Sequence, residues 1–273
     1  MIMRAGVRVA TFVCVLAFGL SAAHAGSVDL NDWTAESYPA VSGFGAGVWT
    51  VQSGGDLVYQ SVNGQPTLYY SDFTAHGTKV TGKIKVSGSD DDYVGFALGF
   101  LPNDSSNGSA DYLLVDWKRG DQWYDFGNPS TTPGSTAYSG LAVSRVLGIP
   151  TADEFWGHTD FASDSGGSVT ELQRGATLGS TGWAIGQEYS FTFDFGPNDL
   201  EVYVDGVKQI DITGSFANGR LAFYNFSQAS VTYSAFEKDP GNFPAVPLPS
   251  PALLGALGLG LVALVRLRRP KRG

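Results

Sequence analysis

The stretch Asp90-Asp91-Asp92-Tyr93-Val94-Gly95-Phe96-Ala97-Leu98-Gly99-Phe100 sets the period of the chain. After three carboxylates, large apolar residues alternate with very small ones. Val94, Phe96, Leu98 and Phe100 fall on one face, and Gly95, Ala97 and Gly99 on the other. Period two is the spacing of a β-strand, whose successive side chains point to opposite faces. A face of such small residues lets another layer or a loop come close. The same period recurs downstream. Leu113, Val115 and Trp117 group opposite Leu114, Asp116 and Lys118, and Phe191-Thr192-Phe193-Asp194-Phe195 alternates aromatic with polar. Glu201-Val202-Tyr203-Val204 meets Asp205-Gly206, and Val207-Lys208-Gln209-Ile210 runs back, which predicts a hairpin closed by a two-residue turn. Val231 to Phe236 predicts the last strand. In the less regular start, Leu57 to Gln60 and Thr67 to Tyr70 read as edge strands, and the first strand of a sandwich is expected to pair with the last.

No long amphipathic helix interrupts this pattern. Turn clusters rich in Gly, Asn, Asp and Ser, such as Asn103 to Gly108 and Asp164 to Gly167, separate the strands. Many short strands with aromatic inward faces predict an all-β fold, an antiparallel jelly-roll sandwich. A propeller would show a repeat of blade length, and none is present. No proline-rich or low-complexity linker occurs before Pro240, so residues 26–240 read as one domain.

The two ends differ from this middle. Residues 1–25 carry Arg4 and Arg8, an apolar stretch from Val9 to Leu20, and Ala23-His24-Ala25 before Gly26, the layout of a secretory signal peptide with a small-x-small cleavage site. The only cysteine, Cys14, lies in that segment, so an exported mature chain uses neither disulfides nor thiol catalysis. Residues 241–251 hold Val246-Pro247-Leu248-Pro249-Ser250-Pro251 in a proline-rich linker. Residues 252–273 follow as a short hydrophobic helix with a basic tail, Arg266-Leu267-Arg268-Arg269-Pro270-Lys271-Arg272. Fourteen apolar residues give roughly 21 Å of helix, short of the roughly 30 Å hydrocarbon core unless flanking residues stretch it. This layout resembles the PEP-CTERM class of bacterial sorting signals in its Val-Pro-Leu-Pro variant. The resemblance implies transient inner-membrane anchoring through the C-terminal helix, basic end inside, until an exosortase-type protease removes it. The basic end agrees with the positive-inside rule. A permanent tail anchor is the alternative.

Ten of the 17 Lys and Arg, and all 26 Asp and Glu, lie between Gly26 and Ala245, giving that region a net charge of −16. Such a surface repels nucleic acid and anionic lipid, excludes both as partners, and favours divalent cations.

In order along the chain, six strings carry a further resemblance. Asp90-Asp91-Asp92-Tyr93-Val94-Gly95-Phe96 is followed by the strand ending Trp117-Lys118, by Tyr138-Ser139-Gly140-Leu141, and by Phe155-Trp156-Gly157-His158-Thr159. Gly182-Trp183 and Asn218 to Gln228 complete the series. Together they resemble the C-terminal lectin-like domain of the thrombospondins over about Thr81 to Phe236. The resemblance implies a concanavalin or L-type lectin-like sandwich, a linked calcium ion and a role in extracellular adhesion. The cysteines and preceding calcium-wire repeats of the animal proteins are missing, so their receptors are not implied.

Calcium takes six to eight oxygen ligands. Asp90 and Asp92, two apart in an extended segment, would share an ion, with Asp91 facing away or serving a turn; a solvated acidic loop is the alternative. Asp116 reads either as a further ligand or as a surface partner of Lys118. Trp123 and Trp156 are the possible ligand-binding aromatics, with packing the competing role. Arg119-Gly120-Asp121 spells an integrin-binding tripeptide but recurs by chance. His158 has no nucleophile motif beside it and reads as structural. No pair of the six glutamates forms the Glu-x-Asp-x-x-Glu arrangement of jelly-roll glycosidases. The expectation is thus a non-catalytic, extracellular, calcium-binding protein of adhesion or of the exopolysaccharide matrix, its partner a matrix polysaccharide or a cell-surface molecule. A calcium-dependent carbohydrate-binding lectin is the alternative, and a polysaccharide hydrolase or lyase a more distant one.

Overall fold

The computed structural model describes residues 25–41, 43–127, 132–161 and 166–240. The expected signal peptide up to residue 24, the sorting motif and the C-terminal helix lie outside them. In chain order the strands are β1 (Gly26–Ser27), β2 (Thr34–Ser37), β3 (Trp49–Gln52), β4 (Leu57–Gln60), β5 (Thr67–Thr74), β6 (Thr78–Val86), β7 (Tyr93–Phe100), β8 (Asp111–Lys118) and β9 (Gln122–Tyr124). After them come β10 (Ser135–Ala137), β11 (Gly140–Ile149), α1 (Ala152–Gly157), β12 (Gly166–Arg174), β13 (Glu188–Phe195), β14 (Asp199–Val204), β15 (Val207–Thr213), β16 (Arg220–Phe226) and β17 (Val231–Pro240).

Two antiparallel sheets form the sandwich. One runs β15-β14-β13-β6-β17-β4-β3 with β1 beside β17, the other β12-β11-β8-β7-β16-β5-β2, and β9 and β10 form a separate two-stranded ribbon. The first strand does pair with the last, Gly26 opposite Lys238. The β14–β15 hairpin turns at Asp205 and Gly206, both at positive φ, as a two-residue turn matched to strand twist requires. Leu57–Gln60 and Thr67–Thr74 are interior strands rather than edges, because the short β3 and β2 add outside them. Those outer strands are only four residues long each, which hides them in the sequence.

Between the sheets lies an aromatic core. Phe96 packs against Phe193 at 4.7 Å and Phe191 at 5.0 Å, and Phe223 stacks on Tyr233 at 4.4 Å. The alternation along β7 holds from Val94 to Leu98 and then breaks. Gly99, at φ +88°, is an extra residue opposite β16, so Phe100 turns to the other face.

That other face is covered as well. All eight residues of β7 are buried. The small face of Gly95 and Ala97 does admit a further layer, made by α1, the β9–β10 ribbon and the segment around Tyr38 and Val41. Helix α1 is one and a half turns long and is held by a capping box, in which Thr151 accepts from the Glu154 N–H and Glu154 accepts from the Thr151 N–H. It places Phe155 and Trp156 in this second core, where Trp156 meets Phe126 at 5.4 Å and Phe226 at 5.6 Å.

Candidate functional site

The aspartate run is an irregular turn between β6 and β7, not the head of a strand. Without the two-fold alternation of a strand, all three carboxylates come together, each offering one oxygen within 4.8 Å of the others. Asp91, expected to face away or to serve a turn, does lie in a turn and its carboxylate is part of the cluster. Asp90 is exposed and accepts from the Asn63 amide, Asp91 is half-buried, and Asp92 is buried.

Lys118, at the end of β8, points into this turn and is completely buried. Its ammonium donates to Asp92 Oδ1 at 2.6 Å, to the Asp91 carbonyl at 3.1 Å and to Gln122 Oε1 at 3.3 Å, and it lies 4.4 Å from the Trp156 ring centroid. The Asp91 carbonyl also accepts from the N–H groups of Arg119 (3.0 Å) and Gly120 (3.4 Å). Gln228 Oε1 accepts from the Asp92 N–H at 3.0 Å, and the Trp183 indole donates to the Asp92 carbonyl at 3.1 Å. Burial pushes the Asp92 carboxyl up, to about 6, and the Lys118 ammonium restrains the rise.

Five of the six sequence strings thus converge on one turn, through Asp92, Lys118, Trp156, Trp183 and Gln228. The sixth touches its margin, where the Ser139 N–H donates to Asp121 at 2.7 Å and holds that carboxyl below the ordinary range. The buried role of Lys118 escaped the sequence reading. A lysine closing an otherwise apolar strand, in phase with Asp116, was the available signal.

Asp116 is neither a ligand of this turn nor a surface partner of Lys118. It sits fully buried on the covered face of β8, where Oδ2 meets His158 Nε2 at 3.0 Å. His158 follows α1 in a left-handed conformation (φ 47°) and faces Glu171 on its other side at 3.6 Å, with Arg174 beyond at 3.0 Å. Burial alone would lower the imidazolium, but the Asp116 carboxylate, aided by Glu171, outweighs it and raises His158 to about 9. The pair ties the end of α1 to the sheet, in keeping with a structural histidine.

Trp156 is 1 % exposed and serves packing, so no ligand reaches it. Trp123, by contrast, is 62 % exposed on the ribbon. The Arg119-Gly120-Asp121 tripeptide is committed internally: Arg119 donates to the Ser89 carbonyl at 3.2 Å and lies over Trp183, while Asp121 is held by Ser139.

A two-sheet jelly roll with buried aromatic cores on both faces of one sheet, and an acidic turn closed by a buried lysine, defines a lectin-like β-sandwich. The family model of the thrombospondin C-terminal region matches residues 45–239, and the chain belongs to that family. A curated relative, thrombospondin-3b of Danio rerio, is 28% identical over 200 residues, 68% of this chain and 20% of the relative. The chain thus spans about a fifth of that protein's length. Among solved structures, the carbohydrate-binding module CBM66 from Bacillus subtilis aligns over 76% of this chain and 95% of its own, at 10% identity and a TM-score of 0.48. The VIP36 exoplasmic/lumenal domain in its Ca2+/Man3GlcNAc-bound form covers 82% of this chain and 93% of its own, at 12% identity and 0.46. Caenorhabditis elegans galectin LEC-6 covers 69% and 99%, at 11% and 0.38. None of these three likenesses bears on ligand or activity.

Proposed function

We propose that this protein is an exported, non-catalytic module that binds Ca2+ at the Asp90–Asp92 turn and serves in adhesion or in an extracellular polysaccharide matrix. The carrying observation is the meeting of three carboxylates within 4.8 Å. Oxygens bonded to one ion at about 2.4 Å lie no more than about 4.8 Å apart, so the spacing fits a single calcium, and hard carboxylates are its preferred donors. Lys118 pairs closely with Asp92 at 2.6 Å and more distantly with Asp91 at 3.6 Å, so Asp90 and Asp91, the two less buried carboxylates, are the principal ligands, with water completing the shell. Two carboxylates at an open turn, one bonded to the Asn63 amide and the other shared with Lys118, belong with weak extracellular calcium sites, roughly 10⁻⁴ to 10⁻³ M. When bound, the ion supplies cross-linking charge to the turn and no reaction step.

Membership of the thrombospondin C-terminal family and the acidic balance of the domain support an extracellular setting. Among the described residues no helix is long and apolar enough to cross a membrane. Export through residues 1–25, and transient anchoring through residues 252–273 until an exosortase-type protease acts, complete the reading and rest on the sequence of those segments. Among the described residues, the one histidine in an ion pair with carboxylates is buried between them, which supports a binding rather than a catalytic role. Calorimetric titration of Ca2+ into the secreted protein tests the site. Binding near millimolar calcium, lost in Asp90→Asn/Asp91→Asn and kept in Asp116→Asn, is expected; equal binding by all three proteins would defeat the assignment.

A further inference from the structure

The β9–β10 ribbon has two unlike faces. Toward the covered sheet it sends Gln122 and Tyr124 from one strand and Ser135 and Ala137 from the other. Gln122 receives Lys118, Tyr124 packs on Phe126 at 4.6 Å, Ser135 donates to the Asp153 carbonyl at 2.6 Å, and Ala137 is fully buried. By period two the outward face carries Trp123 and Thr136, paired in register, with Tyr138 one step further along. Trp123 is 62 % and Tyr138 58 % exposed, and no other aromatic side chain among the described residues is as open.

The indole is positioned rather than loose. Its Cζ2 lies so close to Gly134 that a Cβ there would come within 2.9 Å, and Gly134, at φ +70°, is itself buried. A ring set on backbone in this way loses little freedom when something stacks on its outer side. At the margin, the Asp121 carboxylate is fixed by the Ser139 N–H, and Thr136 offers a hydroxyl.

Two exposed rings with polar groups at their edge suit a sugar, whose C–H faces stack on aromatics while its hydroxyls bond at the rim. Two rings are too small an area for a stable protein interface, which takes about 800 Å² from each partner. The net charge of −16 between Gly26 and Ala245 repels polyanions. We propose that the outward face of the ribbon, Trp123 with Tyr138 and Thr136, binds neutral polysaccharide chains, with neighbouring sugar rings on the indole and the phenol. This goes beyond the calcium reading and does not depend on it.

The test titrates cellohexaose, laminarihexaose and mannohexaose, with hexagalacturonate as the anionic counterpart, into the secreted protein in calcium and in EDTA. Heat and tryptophan fluorescence are followed. At least one neutral hexasaccharide is expected to bind and perturb the emission. Trp123→Ala and Tyr138→Ala are each expected to weaken it tenfold or more with unchanged thermal unfolding. Sugar binding that persists in EDTA upholds this site even if the calcium reading fails. Calcium binding without binding of any neutral hexasaccharide, binding of hexagalacturonate alone, or full binding by the Trp123→Ala/Tyr138→Ala double variant overturns it.

Discussion

Replacing Lys118 by methionine isolates the energetics of the acidic turn. The ammonium is fully buried and 2.6 Å from an Asp92 carboxylate that is itself 4 % exposed, so the substitution strands a buried charge. Removing one partner of a buried pair destabilises by about 3–5 kcal/mol, because the remaining ion keeps its desolvation penalty. Proton linkage sets the pH-dependent part of that loss. Asp92 already titrates near 6, and without Lys118 its folded pKa rises further. A carboxyl raised above its unfolded value near 3.9 contributes stability that is complete below that value and lost as pH rises through the folded pKa. The loss is about 1.36 kcal/mol per unit, but the wild type, titrating near 6, already bears most of it, so removing Lys118 adds at most about 1.4 kcal/mol at pH 7. In urea titrations followed by tryptophan fluorescence, Lys118→Met is expected to lose about 3–5 kcal/mol at pH 7 and about 1 kcal/mol less at pH 4.5. Asp92→Asn/Lys118→Met should recover most of the loss, since no charge is left unpaired. A single variant within 1 kcal/mol of wild type at pH 7, or a double variant no more stable than the single, would refute the reasoning.

Other consequences follow from the same contacts. Because His158 is raised from 6.5 to about 9, its contribution is complete below about pH 6.5 and disappears as pH climbs through 9. The size is about 3 kcal/mol, so the melting temperature should fall across pH 7–9.5 in wild type and much less in His158→Gln. A Cβ at Gly95 would meet the backbone of the next strand, 2.2 Å from the Val115 carbonyl and 2.7 Å from Asp116 Cα, whereas the nearest atoms to one at Gly82 belong to the Phe236 ring. Gly95→Ala is therefore expected to lose about 3 kcal/mol in chemical unfolding, and Gly82→Ala distinctly less, because a ring can turn away and a strand cannot.

The sandwich was legible because its central strands alternate. Val94 to Leu98, Leu113 to Trp117 and Phe191 to Phe195 place their inward residues as the period requires. What escaped were features without a local signature. Gly99 carries no mark that distinguishes a bulge from another small residue of its face, so Phe100 was placed on the wrong side. The added strands β2 and β3 are only four residues long each, and only pairing reveals them. At the site the three aspartates were visible, but their shared orientation depends on an irregular turn. The burial of Lys118 and Asp116 depends on the covering layer of α1 and the ribbon, which no single segment announces. The ordered strings did point to one place: Asp92, Lys118, Trp183 and Gln228 are far apart in the chain and bonded together in the fold.

Calcium at that turn is the central claim, and thermal unfolding of the purified protein tests it most directly. For a dissociation constant of 10⁻⁴ to 10⁻³ M, 10 mM Ca2+ adds about 1.4–2.7 kcal/mol, a rise of about 3–10 °C for a domain of this size. That rise is predicted for the wild type and should vanish in Asp90→Asn/Asp91→Asn. A melting temperature that 10 mM calcium leaves unmoved, or one that it raises equally in the variant, would contradict the claim.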